Sequence, residues 1–189
     1  MKNIGIAPHF AALIVITVLC GLIYAAVQQT YRSSANDPQI QIALDIKNAI
    51  ENNHPLGKWL ADDSVEISQS LSVFKTLYNK NGEPVQSSGF LNGHLPQLPP
   101  GVFDFTNTHH ENVVTWQPQD GVRMAMVMEA VNSPQIGFVA AGRSLREIEK
   151  RESNLRTMVV VAWLICAGTI VLHFLLTWFS QKNQGITKI

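Results

Sequence analysis

Two long apolar stretches of the chain carry no Asp, Glu, Lys or Arg. Phe10 to Val27 (FAALIVITVLCGLIYAAV) and Met158 to Phe179 (MVVVAWLICAGTIVLHFLLTWF) are apolar almost throughout. A bilayer core about 30 Å thick is crossed by about 20 apolar residues in a helix, so both runs predict transmembrane helices, the first slightly short. They divide the chain into a tail of residues 1–9, a middle of residues 28–157 and a tail of residues 180–189.

The middle changes period several times. NDPQIQIALDIKNAIEN opens it with Ile40, Ala43, Leu44 and Ile50 at helical spacing, with Asp37 as a cap and Pro38 at the first helical position. HPLGKWLADDSVEIS shows no clear period and predicts irregular chain with one helical turn. SVFKTLYNKNGEPVQSS predicts a strand, a turn at Asn81-Gly82 and a second strand. NVVTWQPQDGVRMAMVMEAV predicts another hairpin turning between Pro118 and Gly121, and IGFVAAG, apolar on both faces, a central covered strand. The long connection from Gly89 to Glu111 predicts a short helix or functional flap at PPGVFDF. Together these elements predict an α+β domain on an antiparallel sheet of about five strands, with a helix at each end.

Alternation in the second hairpin sets its faces. It puts Met124, Met126 and Met128 on one side, read as core beneath the first helix of the middle domain. A four-residue turn then sets Trp116 opposite Arg123 on the other side. That pair is either an ordinary cation–π contact or a fork held beside an aromatic for a carboxylate ligand. Trp116 and Arg123, with Phe103 and Phe105 from the flap, are the ligand-binding candidates for a small molecule.

The final strand passes at once into charged helix. Ser144-Leu145-Arg146-Glu147 has the form of a capping box, and Glu147–Arg151 and Glu152–Arg156 are favourable i, i+4 pairs. Leu145, Ile148, Glu152, Leu155 and Val159 repeat at alternating spacings of three and four, a candidate homodimer seam with one Glu in it. No Gly or Pro interrupts Ser144 to Ala167, which predicts a stiff coupling helix from sheet into lipid.

Charge orients this layout. The 189-residue chain has no formal net charge, but every Asp and Glu lies in the middle, and the tails carry only Lys2, Lys182 and Lys188. Short basic flanks stay on the cytoplasmic side, which predicts cytoplasmic termini and an outer, periplasmic middle domain in a bacterial inner membrane. A cleaved signal peptide is the alternative for the first run, and Ile23-Tyr24-Ala25-Ala26 offers it small residues only in part. The two cysteines, Cys20 and Cys166, both fall inside the apolar runs, so the outer domain has no disulfide. Thr17, Gly21 and Ala25 form a small-residue face suited to helix contact, and Thr169, His173 and Thr177 share one side of the second helix.

Chemistry-bearing motifs are scarce. His109-His110-Glu111 has neither the spacing nor the extra ligands of a metal centre. Ser87-Ser88-Gly89 lacks the frame of a nucleophile elbow, Asp62-Asp63 and Asp104 stand apart, and no basic stripe suits nucleic acid. The expectation is a protein without enzymatic activity, cofactor, metal or nucleic-acid partner.

The order helix, FKTLYNKNGEPVQSSG, long loop, VTWQPQDGVRMAMV, IGFVAAGRSLREIEKRE and lipid run resembles the extracytoplasmic PAS-like (Cache or PDC) sensor regions of bacterial histidine kinases and chemoreceptors. The resemblance covers roughly Asn36 to Phe179, and ANDPQIQIALD and GRSLREIEKRE also resemble phrases of small two-helix bacterial membrane proteins. It implies a PAS-like fold and a sensor. In that family the second membrane helix feeds an output segment, for which Ser180–Ile189 leaves no room, so the expectation is a module acting through a partner membrane protein. The alternative is an envelope structural or assembly factor whose domain binds protein.

Overall fold

A computed structural model describes residues 6–57 and 64–186. The chain divides into two units, Arg32–Glu149 and a helical unit from the segments on either side of it.

In Arg32–Glu149 the elements are α2 (Asp37–Glu51), β1 (Val65–Glu66), β2 (Phe74–Tyr78), β3 (Pro84–Ser87), β4 (Gly89–Phe90), α3 (Pro100–His109), β5 (Glu111–Gln119), β6 (Val122–Ala130) and β7 (Phe138–Ser144). Five strands form an antiparallel sheet in the order β3-β2-β7-β6-β5, while β1 and β4 make a small parallel pair. The domain is α+β, as the pattern of the sequence predicts. β7 is central and buried along almost its whole length, which explains the unbroken apolar run of IGFVAAG. The expected flap helix is present and longer than PPGVFDF. It starts behind the extended Pro99 and stops where His110 turns left-handed at φ 68°. The expected irregular segment falls partly on residues 58–63, and with it Asp62-Asp63, outside the described residues; its end, Val65–Glu66, is strand rather than loop. Lys2 and Lys188 also lie outside the described residues. Asp37 does not cap α2 but is its first residue, after Asn36.

The sheet is covered on both faces. α2 packs Ala43 and Ile46 against Leu77, Val127, Val139 and Ala141. On the same side Lys47 Nζ meets Glu129 Oε2 at 3.0 Å, a carboxylate 5% exposed and so held by its partner. The opposite face carries Phe74, Tyr78, Trp116, Met124, Met126, Met128 and Phe138, roofed by Ile67, Leu91, Leu98, Val102 and Phe103. The methionines are core, as expected, but they face α3 and the preceding loop rather than α2.

The register of the second hairpin differs from the expectation. The turn is the two residues Asp120 and Gly121, with Gly121 at φ 76° and Gln119 opposite Val122. Trp116, however, pairs with Met124, not with Arg123. Gln117 and Pro118 together oppose one residue, a β-bulge. Pro118 has no N–H for a regular ladder and suits such a position. One extra residue reverses parity, and Trp116 joins the methionines, 8% exposed.

The helical unit holds most of α1 (Ile6–Ser33) and of α4 (Arg146–Ile186). Both are long and apolar enough to cross a membrane by length and composition. Trp163 Nε1–H donates to Thr17 Oγ1 at 2.9 Å, and His9 Nε2 lies 3.2 Å from His173 Nδ1. Thr17 and His173 therefore stand between the helices. Gly21 and Ala25 do not: both are exposed, and a Cβ on Gly21 would meet nothing within 4 Å. The half-buried residues of α1 include Ile16, Cys20 and Tyr24. On α4 the half-buried stripe contains Leu155, Val159, Trp163 and Phe174.

Candidate functional site

One concavity of Arg32–Glu149 is an open cleft of about 580 Å³. It lies among α3, the β2–β3 turn and the ends of β6 and β7. Its floor is aromatic: Phe103 meets Tyr78 edge-on at 5.1 Å and Phe138 at 5.3 Å between ring centroids. Lys80, Asn81, Asp104 and Asn107 add polar groups to its lining. The exposed lining of the cleft is thus more polar than apolar, with the aromatic rings beneath it.

Local sequence explains why the cleft has this form. Asn79 Oδ1 accepts the N–H groups of Asn81 and Glu83 at 2.9 and 3.0 Å, fixing the turn that carries Lys80. Gly82 sits at φ 80°, and a Cβ there would press on the Phe103 ring at 3.0 Å. Gly137 lets β7 start against the turn, since a Cβ there would lie 2.8 Å from Lys80 Cα. Below the floor, the Tyr78 hydroxyl donates to the Pro96 carbonyl at 3.0 Å, and burial raises its pKa well above the ordinary tyrosine value.

The four ligand-binding candidates do not meet. Only Phe103 lines this cleft. Phe105, two residues on and so on the other side of α3, is 47% exposed and stacks on His109 at 4.0 Å. Trp116 borders a second, shallower concavity of about 700 Å³ with Leu91, His94 and Pro118, near the other end of β6. Arg123, on the opposite face from Trp116, extends its guanidinium to Glu149 at the surface. The cation–π or carboxylate fork expected of Trp116 and Arg123 is therefore corrected, and the bulge is its cause. Lys80, Asp104, Asn107 and Phe138 escape a linear reading because they come from three separate segments. The one local signal was the turn chemistry of NKNG.

At the far end of β7 the strand hands over to α4. Ser144 stays in the sheet opposite Met124, and Leu145 N–H donates to the Arg123 carbonyl at 2.8 Å. Helix therefore begins at Arg146, one residue later than the capping-box reading places it, and Glu149 N–H makes a helical bond to the Leu145 carbonyl. Ser144 Oγ accepts the Arg146 N–H at 3.3 Å. Arg146 Nη2 and Arg143 Nε donate to the carbonyls of Ser68 and Leu71, which ties the junction to the segment before β2. Leu145, Glu147 and Ile148 are half-buried there.

Among the described residues no group of three or more His, Cys, Asp or Glu side chains is placed to hold a metal ion. His109 sets its Nδ1 against the Phe105 carbonyl, while the left-handed backbone of His110 closes α3. Compared with protein-family models the chain matches none, and no curated protein matches it.

Proposed function

We propose that the protein is a membrane-anchored ligand-binding sensor module of PAS-like type, which passes its state to a partner membrane protein. In this reading α1 and α4 cross a bacterial inner membrane, both termini are cytoplasmic and residues 28–157 face the periplasm. One observation carries it. The cleft touches Gly137 and Phe138, the start of the same central strand whose last residue, Ser144, leads into α4. A small polar ligand spanning Lys80 and Asp104 would bear directly on that strand. It can shift the module only by its difference in affinity for two positions of β7, so contact with this strand is what a sensor needs.

The experiment joins both ends of the path. A Gly-Gly-Ser segment inserted after Glu149 uncouples β7 from the membrane part of α4, while Lys80→Glu with Asp104→Lys alters the cleft. The readout is any phenotype of deleting the gene, with folding followed by circular dichroism. Loss of function in both variants is the expected result. Function that survives the insertion would make the domain a tethered binder, and function that survives the cleft variant would remove the ligand.

A further inference from the structure

The two edges of the five-stranded sheet are built differently. β3 is four residues long, opens with Pro84 and meets a register irregularity at Leu77–Tyr78, features that blunt an edge. β5 is nine residues long, and its regular pairing with β6 extends from Glu111 to Trp116 before the bulge. Ala130 N–H donates to the His110 carbonyl at 2.8 Å. By antiparallel alternation, the N–H and C=O groups of Asn112 and Val114 also face β6, and those of Glu111, Val113 and Thr115 face outward, with Gln117 following at the start of the bulge. The side chains of Glu111, Val113, Thr115 and Gln117 are all exposed, Val113 by 48%. From Glu111 to Trp116 this edge carries no lysine or proline, and its guards, Pro118 and the bulge, stand beyond that stretch.

We infer that β5 pairs with β5 of a second copy, antiparallel about a two-fold axis at Val114. The row is self-complementary in that register. Val113 faces Thr115 of the second copy and Thr115 faces its Val113, so every outward N–H and C=O of these two residues finds a partner. Glu111 falls opposite Gln117, and the one charge in the row meets an amide rather than its own copy. Pro118, which could not donate, lies beyond the last pair. A register centred on Val113 leaves Gln117 unmatched, and one centred on Thr115 moves Glu111 across from Gln119, past the bulge. Symmetry of this kind favours a second copy over an unrelated strand.

In this register Val114 meets Val114 at a non-hydrogen-bonded site, where Cα atoms approach to about 4.5 Å and a disulfide can form. The test places Val114→Cys in the full chain with C20A and C166A, and oxidises it in the membranes of an expression host. The expected product runs at twice the 20.9 kDa chain mass. Adding Thr115→Pro, which removes an outward N–H, or Val113→Lys, an edge guard, should abolish that product while the circular dichroism spectrum is kept. Gln86→Cys on the β3 edge should stay monomeric. A Val114→Cys chain that folds and stays monomeric overturns the pairing. So does equal crosslinking through Gln86→Cys, which would mark random collision. A crosslinked product of some other mass would assign the edge to a different protein.

Discussion

Trp116 stands directly across the β5–β6 ladder from Met124, on the buried face that also holds Met126 and Met128. Arg123, next to Met124 in sequence, faces the other way and meets Glu149. The bulge at Gln117–Pro118 decides both. The two residues should thus respond very differently to truncation. Trp116→Ala removes a large core ring and should cost about 3–5 kcal/mol. Arg123→Ala breaks a half-exposed ion pair and should cost about 0.2–1 kcal/mol. Urea unfolding of the two variants in detergent measures the contrast; equal costs would put Trp116 outside the core.

Lys47 and Glu129 join α2 to the sheet on the opposite face. Glu129 is nearly inaccessible and its partner is partly exposed, at 5% and 22% of their side-chain surfaces. Lys47→Ala leaves the carboxylate without its cation, a change that costs about 3–5 kcal/mol for a fully buried pair, and the exposure of Lys47 moves the expected loss to the low end. The double variant Lys47→Met with Glu129→Leu removes both charges and should recover most of it. Thermal melts of the single and double variants decide this, and a double variant no better than Lys47→Ala would show that the pair itself is needed.

The sequence made the layout of this fold legible because its signals are local. Asn81-Gly82 marks the first hairpin, the doubly apolar IGFVAAG identifies the central strand, and the Pro-rich start of PPGVFDF identifies α3. Parity across a turn is not local in this sense. Asp120-Gly121 fixes the turn, but whether Pro118 forces a bulge beside it depends on the partner strand, and one residue moved Trp116 to the other face. The cleft was still less accessible, since Lys80, Asp104 and Phe138 converge only when β7 returns beside β2. In the helical unit the contact between α1 and α4 includes the reach of Trp163 to Thr17, and Gly21 stands outside it.

Tyr78 gives the domain an alkaline limit. Burial raises its pKa, so the folded protein keeps the phenol proton at a pH where an unfolded tyrosine, with a pKa of about 10, has lost it. The contribution is therefore constant below about pH 10 and declines above it, by up to about 1.4 kcal/mol per pH unit. Tyr78→Phe should be less stable at neutral pH by about 1 kcal/mol, having lost the bond to the Pro96 carbonyl. It should also lose part of the alkaline decline, so the two curves approach each other above pH 10. Parallel curves across that range would place the titration elsewhere.

Phe74 and Gly142 are paired across β2 and β7, and the ring of one fills the space left by the other. A Cβ on Gly142 would lie 2.5 Å from Phe74 Cζ and 3.0 Å from Met126 Cγ. Gly89 supports the same ring from its other end, with a Cβ there 2.6 Å from Phe74 Cβ. Gly142 has no unusual φ to protect, so the cost of Gly142→Ala is steric rather than conformational. Overpacking of this kind costs about 1–3 kcal/mol. Phe74→Leu alone opens a cavity beneath the roof and is destabilising for the opposite reason. Combined, the smaller side chain makes room for the added methyl, and the double variant should be more stable than the sum of the single losses implies, by about 0.5–3 kcal/mol. A double-mutant cycle by urea unfolding measures that coupling. Strict additivity would mean that the methyl added by Gly142→Ala is accommodated by movement of β7 itself, the strand that the sensing proposal requires to shift.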